Sequence, residues 1–209
     1  MATMPTLDNS NTLASKPQSH EIIFRHDVMG DTTTAVAAPS LKQRDVYVTG
    51  FGKFGDMLEN PTTLLAEKLG GHPKVTETHV LEVSAAGISV TCLSERGRPC
   101  VFLHFGVSAT ACTLLLEQVG YNVADFRIPD ERGHVAKNEV IHEGEPANMT
   151  TKVCLDEMLV ILQDVDARVA ISTDPGRYVC NYVYYRSLVW ANRQTVKHHL
   201  DSTCKHMCQ

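Results

Sequence analysis

A thiol, a carboxylate set in an apolar run and a group of histidines near the chain end are the residues here that could combine into covalent chemistry. The thiol is Cys180, in the stretch Thr173-Asp-Pro-Gly-Arg-Tyr-Val-Cys180-Asn-Tyr-Val-Tyr-Tyr-Arg-Ser-Leu188. A cysteine becomes a nucleophile when an imidazole takes its proton and a third group fixes the tautomer of that imidazole. Glu117 lies within Leu114-Leu-Leu-Glu-Gln-Val119, and a carboxylate so placed costs several kcal/mol to bury unless it is paired. A glutamate at a sheet edge or on a helix surface, facing water, is the alternative. His198, His199 and His206 follow Cys180, whereas His104 lies inside an apolar run and reads as a hydrogen-bonded core histidine. Without further context a lone cysteine is more often a small buried hydrophobe than a nucleophile.

The elements around Cys180 change that balance. Arg168-Val-Ala-Ile-Ser172 is a β-branched run that reads as a buried strand, and Pro175-Gly176 then forces a turn. Tyr184, Leu188 and Ala191 recur at helical spacing, which places Cys180 at or just before a helix start. Unpaired N–H groups and the helix dipole at that position are expected to lower the thiol pKa. A strand, a glycine turn, a nucleophile-type residue and a helix in that order is how α/β hydrolases present an attacking atom.

Upstream, order is expected to begin at a strand, Asp45-Val-Tyr-Val-Thr-Gly50, that runs into Gly50-Phe-Gly-Lys-Phe-Gly55. Three glycines in six residues permit a tight turn and close approach of backbone to a ligand, but neither dinucleotide nor P-loop spacing is present. Asn60-Pro61 supplies an N-cap and first helical residue, with the helix running to about Leu69 and closed by Gly70-Gly71. A strand over 77–83, a helix over 88–96 and a central, doubly covered strand over 100–105 follow. Residues 110–119 fit either helix or strand, and Phe126–Gly133 reads as an exposed turn. Ala147–Val165 reads as a helix with Cys154, Met158, Ile161, Leu162 and Val165 on its packed stripe. Alternating elements predict a single three-layer α/β/α sandwich around a mostly parallel, mixed sheet.

Composition narrows the function classes. The chain has 209 residues, 43% of them hydrophobic, and a formal net charge of -5. That charge argues against nucleic acid or an anionic membrane as the main partner. No run reaches the roughly 18 apolar residues of a membrane span, and no secretory signal is visible. Seven irregularly spaced cysteines then read as reduced thiols in a cytoplasmic protein. Residues 1–44, rich in Ser, Thr, Asn, Ala and Pro, read as a disordered N-terminal extension; acidic residues and scarce arginine weaken a transit-peptide reading. The tail from His198 to Cys208 resembles a metal site by composition, but its spacing matches no standard zinc pattern.

Four ordered blocks carry a family resemblance over residues 45 to about 190. Asp174-Pro-Gly-Arg-Tyr-Val-Cys180 with Tyr184-Tyr185 and Ser187-Leu188 resembles the active-site segment of the pyroglutamyl-peptidase I family of cysteine peptidases. Gly50-Phe-Gly-Lys-Phe-Gly55 with Asn60 is similar to that family's opening loop. His104-Phe-Gly-Val-Ser108 through Glu117 and Asn122 resembles the block holding its glutamate, and Phe126-Arg-Ile-Pro-Asp130 a later turn. The resemblance implies removal of an N-terminal pyroglutamyl residue from peptides, without a cofactor. It implies Cys180 as nucleophile forming a thioester, Glu117 as the group orienting the imidazole, Phe51 and Phe54 as walls for the pyrrolidone ring, and Arg127 near the oxyanion.

The chain also departs from the family. Lys53 stands where members carry proline, the segment 84–99 is short, and no His-Val-Pro-Pro strand follows Cys180. Ungapped continuation puts His199 at the position of the family's histidine, and the domain 45–209 is expected to lack the family's final helix. Two other readings follow from this: a catalytically inactive homologue that keeps the pyroglutamate pocket, and a metal-binding tail acting as an interaction module.

Overall fold

The computed structural model describes residues 44–87, 99–108 and 111–207, with side chains described as far as residue 194. The expected N-terminal extension, the expected helix over 88–96 and the side chains of the histidine-rich tail lie outside the described residues.

A fully buried strand, β1 (Asp45–Phe51), sits at the centre of a parallel three-stranded sheet, between β2 (Glu77–Leu81) and β3 (Cys100–His104). The sequence reading assigned the central position to the 100–105 run. The correction follows from burial: Tyr47, Val48, Thr49 and Phe51 are closed off, whereas Leu103 on β3 is 37% exposed. Gly50 has a packing role: a Cβ there would lie 2.1 Å from the Thr62 carbonyl oxygen, so glycine lets helix α1 (Pro61–Leu69) ride on the strand. Asn60 caps that helix, accepting from the Thr62 N–H at 3.0 Å while its amide donates to the Gly52 carbonyl at 2.9 Å. One side chain thus ties helix start to strand end.

Within the ambiguous 110–119 stretch, strand structure is found at Leu114–Glu117 and from Val119 on. β4 (Leu114–Glu117) pairs in parallel with β7 (Val169–Ser172), and β5 (Val119–Tyr121) pairs antiparallel with β6 (Asn148–Thr150). The long helix expected over 147–165 is shorter. Residues 148–150 are strand β6, and α2 runs only Leu155–Gln163. Its inward stripe starts at Leu155, while Ile161 (66%) and Val165 (85%) face outward. The expected register had been counted through Cys154, which is the N-cap residue and carries no side-chain cap bond. Phe126, expected on an exposed turn, is instead fully buried in a cluster with Phe51, Val83, Ala124, Val179 and Val183. α3 (Val179–Met207) begins one residue before Cys180 and lies against β5 and β6.

Five strands pair in parallel, with α1 packed on β1 and β2 and α2 on β7, so the described fold is α/β with mostly parallel strand pairing. β1, β3, β4 and β7 end at Phe51, His104, Glu117 and Ser172, which is where loops in such folds gather reactive groups.

Candidate active site

Cys180 is held by its own turn. Gly176 takes φ +75°, a conformation that favours glycine. Asp174 accepts the Gly176 N–H at 3.1 Å and pairs with Arg177 at 2.6 Å, and the Arg177 guanidinium lies 3.8 Å from the Tyr121 ring centroid. The next residue past the thiol locks the helix start. Asn181 is fully buried, accepts from the Tyr121 N–H, and donates to the Tyr121 and Val123 carbonyls at 2.9–3.1 Å. Tyr178 reaches across to donate its hydroxyl to the Pro129 carbonyl at 3.0 Å.

The thiol and one of the expected pocket residues, Phe51, come together at Gly106. A Cβ on Gly106 would lie 2.9 Å from Cys180 Sγ and 3.9 Å from Phe51 Cε2, so the glycine after β3 leaves room for sulfur and ring together. Phe54 packs against the same apolar cluster, with its ring 6.3 Å from that of Tyr178. Arg127 is exposed on the following loop; its neighbour Ile128 approaches Gly55, a loop glycine at φ +51°. A cavity of about 420 Å³ lies nearby, among Asp130, Arg132, His134, Tyr182 and Arg186, and Cys180 does not line it.

Electrostatics at the thiol differ from expectation. Loss of solvent pushes the Cys180 pKa up to about 11. The N–H groups of Cys180 and Val107 pull it down, and the Glu117 carboxylate pushes it up again. The helix start does supply the expected stabilisation, but desolvation is larger, so the net shift is upward. The Val107 N–H is a donor that residue types could not reveal, because it belongs to the backbone; its one signal was Gly106, the residue that allows the loop to come close.

Glu117 ends β4 in register with Ser172 of β7. Its main-chain oxygen accepts from the Tyr184 hydroxyl at 2.7 Å. Its carboxyl pKa is raised, first by burial and also by Asp174, while the Ser172 hydroxyl lowers it. Oε2 is buried and has no hydrogen-bond partner among the described residues. A carboxylate oxygen kept dry and unbonded is expensive, and it marks a place made for a donor.

The histidines are placed apart from the thiol. His104 is buried, with Nδ1 2.7 Å from Thr49 Oγ1 and Nε2 2.7 Å from Ser187 Oγ. Ser187 donates its own proton to the Val183 carbonyl, so it accepts from His104 Nε2–H, and Nδ1 accepts from Thr49. Burial lowers the His104 pKa to about 4, which leaves it a neutral core histidine, as its position in an apolar run suggested. His199 lies on α3 with Cys180, nineteen residues further along. At roughly 1.5 Å per residue, its backbone is about 28 Å from that of Cys180 along the axis. On this helix the backbone of His199 does not come next to that of Cys180.

A cysteine at a helix start, a half-buried glutamate at the end of a parallel strand and an aromatic loop define a cysteine-peptidase type of site on an α/β fold. Comparison with known proteins makes the class specific. Residues 44–207 match the family model described as pyroglutamyl peptidase, and the chain belongs to that family. It is 32% identical over 151 residues to the pyrrolidone-carboxylate peptidase of Deinococcus radiodurans, covering 69% of each chain. Against human pyroglutamyl-peptidase 1 it is 32% identical over 155 residues, covering 70% of this chain and 73% of that one. The crystal structure of the pyrrolidone carboxyl peptidase of Fervidobacterium islandicum superposes with a TM-score of 0.64 at 29% identity, covering 71% of this chain and 74% of that one.

Proposed function

We infer that this chain is a cysteine exopeptidase that removes an N-terminal pyroglutamyl residue from peptides. The observation that carries the reading is the junction of Cys180, Phe51 and Gly106 at the carboxyl ends of parallel strands, in a chain of the pyroglutamyl peptidase family. In the proposed reaction Cys180 Sγ attacks the acyl carbon that joins the pyrrolidone to the next residue. The C–N bond breaks, the amine leaves with a proton, and water hydrolyses the resulting thioester to regenerate the thiol. The N–H groups of Val107 and Cys180 that now face the sulfur are placed to stabilise an oxyanion beside it, with Arg127 reaching in from its exposed loop. Phe51 and Phe54 offer apolar walls to an uncharged lactam, and a free glutamate carboxylate would be rejected by them.

Glu117 Oε2 accepts from the imidazole that carries the proton. The sequence assigns that imidazole to His199; the assignment requires α3 to end short of His199 and the tail to return. The reading uses no cofactor and no nucleic acid. No helix among the described residues is long and apolar enough to cross a membrane, and the net charge and thiol-rich composition support a cytoplasmic enzyme.

The test is hydrolysis of a pyroglutamyl fluorogenic amide by the purified full chain, beside Cys180→Ala, Glu117→Gln and His199→Ala. Turnover lost with Cys180→Ala and Glu117→Gln supports the site. Loss with His199→Ala as well supports a returning tail. Turnover that survives Cys180→Ala overturns the mechanism, and a folded wild-type chain without turnover overturns the enzymatic reading.

A further inference from the structure

We propose that Ser172 is a positioning residue for Glu117: its hydroxyl holds one side of the carboxylate and leaves Oε2 free to face the reaction. The inference rests on Glu117 serving the site as proposed above, and it begins with the strand register. Glu117 and Ser172 are direct Cα partners at the ends of β4 and β7, so their side chains leave the paired strands at the same level. The Ser172 oxygen accepts the Asp174 N–H at 3.2 Å. That bond uses a lone pair and leaves the single hydroxyl proton to find another acceptor. The Glu117 carboxyl is the acceptor beside it, and the hydroxyl lowers its pKa accordingly.

Every other described group that acts on Glu117 either leaves the carboxyl unheld or opposes its charge. Tyr184 binds its main-chain oxygen only, which fixes the backbone and leaves the carboxyl free to rotate. Asp174, on the loop after β7, raises its pKa. Cys180, on α3, has its own pKa raised by Glu117, so the two anions disfavour one another. Ser172 is therefore the group that favours the ionised carboxylate and selects which oxygen stays unbonded. The same residue anchors the turn leading to Cys180 through Asp174, so one hydroxyl links the positions of acid and thiol.

The test compares wild type, Ser172→Ala, Ser172→Thr and Glu117→Gln. The direct readout is the 13C resonance of the Glu117 carboxyl as a function of pH, assigned by its loss in Glu117→Gln, and it needs no turnover. Ser172→Ala is expected to move the midpoint upward, and Ser172→Thr to restore it. With the pyroglutamyl amide, Ser172→Ala is expected to lower kcat roughly three- to tenfold with KM unchanged, and to shift the acidic limb of the profile to higher pH. Equal midpoints in wild type, Ser172→Ala and Ser172→Thr overturn the proposal. Should those midpoints differ while Glu117→Gln keeps full activity, the positioning stands and the role proposed for Glu117 falls.

Discussion

Cys180 is predicted to ionise only at strongly alkaline pH, which is the most direct test of the forces acting on the site. Burial carries its pKa from the ordinary 9.0 to about 11, against the pull of two N–H groups. At pH 8 a free thiol of pKa 9.0 is roughly one-tenth thiolate, whereas one of pKa about 11 is roughly one part in a thousand. Ionisation alone should therefore slow alkylation by iodoacetamide about a hundredfold at that pH. The assay is alkylation of the native full chain across pH 7–12, read peptide by peptide in a mass spectrometer. Reading by peptide separates Cys180 from the exposed thiols Cys112 and Cys154, which serve as internal references. Restricted access slows the reaction at every pH, so the midpoint is the diagnostic quantity. Glu117→Gln should lower that midpoint, because the carboxylate is one of the groups raising it. A wild-type midpoint below that of Cys112 would refute the reasoning. It would mean that an imidazole or the helix dipole outweighs desolvation, and that the site is already activated before substrate arrives.

Two further predictions concern the scaffold that holds the site. His104 has its pKa lowered from 6.5 to about 4, so the unfolded chain binds its proton more readily than the folded one. Stability should fall as pH drops from about 6.5 towards 4. A difference of about 2.5 units at about 1.4 kcal/mol each gives about 3.5 kcal/mol as an upper figure. Urea midpoints measured at pH 7 and pH 4.5 check this; a His104→Gln variant with the same acid sensitivity as wild type would refute it. Gly50→Ala should destabilise by about 1–3 kcal/mol or more, because the new methyl would meet the Thr62 carbonyl at 2.1 Å and push α1 off β1. A urea midpoint within error of wild type would show that the helix shifts freely.

Much of the architecture was legible because local chemistry and tertiary position agreed. Asn60-Pro61 announced a helix start and Gly70 its end, and β1, β3 and β7 were continuous apolar runs bounded by glycine or proline. Cys180 was legible as a helix-start residue, since Pro175-Gly176 and the following 3.6-residue period fix the junction. What failed did so where position depended on distant partners. The stripe from Cys154 to Val165 has helical spacing, but β6 takes the chain at 148–150 and the helix then turns a different face inward, leaving Ile161 and Val165 in water. Phe126 looks like turn material beside Arg127, Pro129 and Asp130, yet packing by Val179, Val183 and Phe51 buries it.

The site divides along the same line. The apolar neighbours of Glu117 marked its carboxylate as a group that needs a partner if buried. That Oε2 would stand unbonded at a strand end beside Ser172 required the pairing of β4 with β7, two strands separated by more than fifty residues of chain. The sign of the thiol shift was also out of reach. A helix start lowers a cysteine pKa and burial raises it, and only the packing around the sulfur, which the sequence does not show, decides which dominates. Chemistry in this chain is thus split between what residue types declare and what strand register imposes. The register sets the acid beside Ser172, the close approach at Gly106 crowds the thiol, and α3 puts about 28 Å of helix between the backbones of Cys180 and His199.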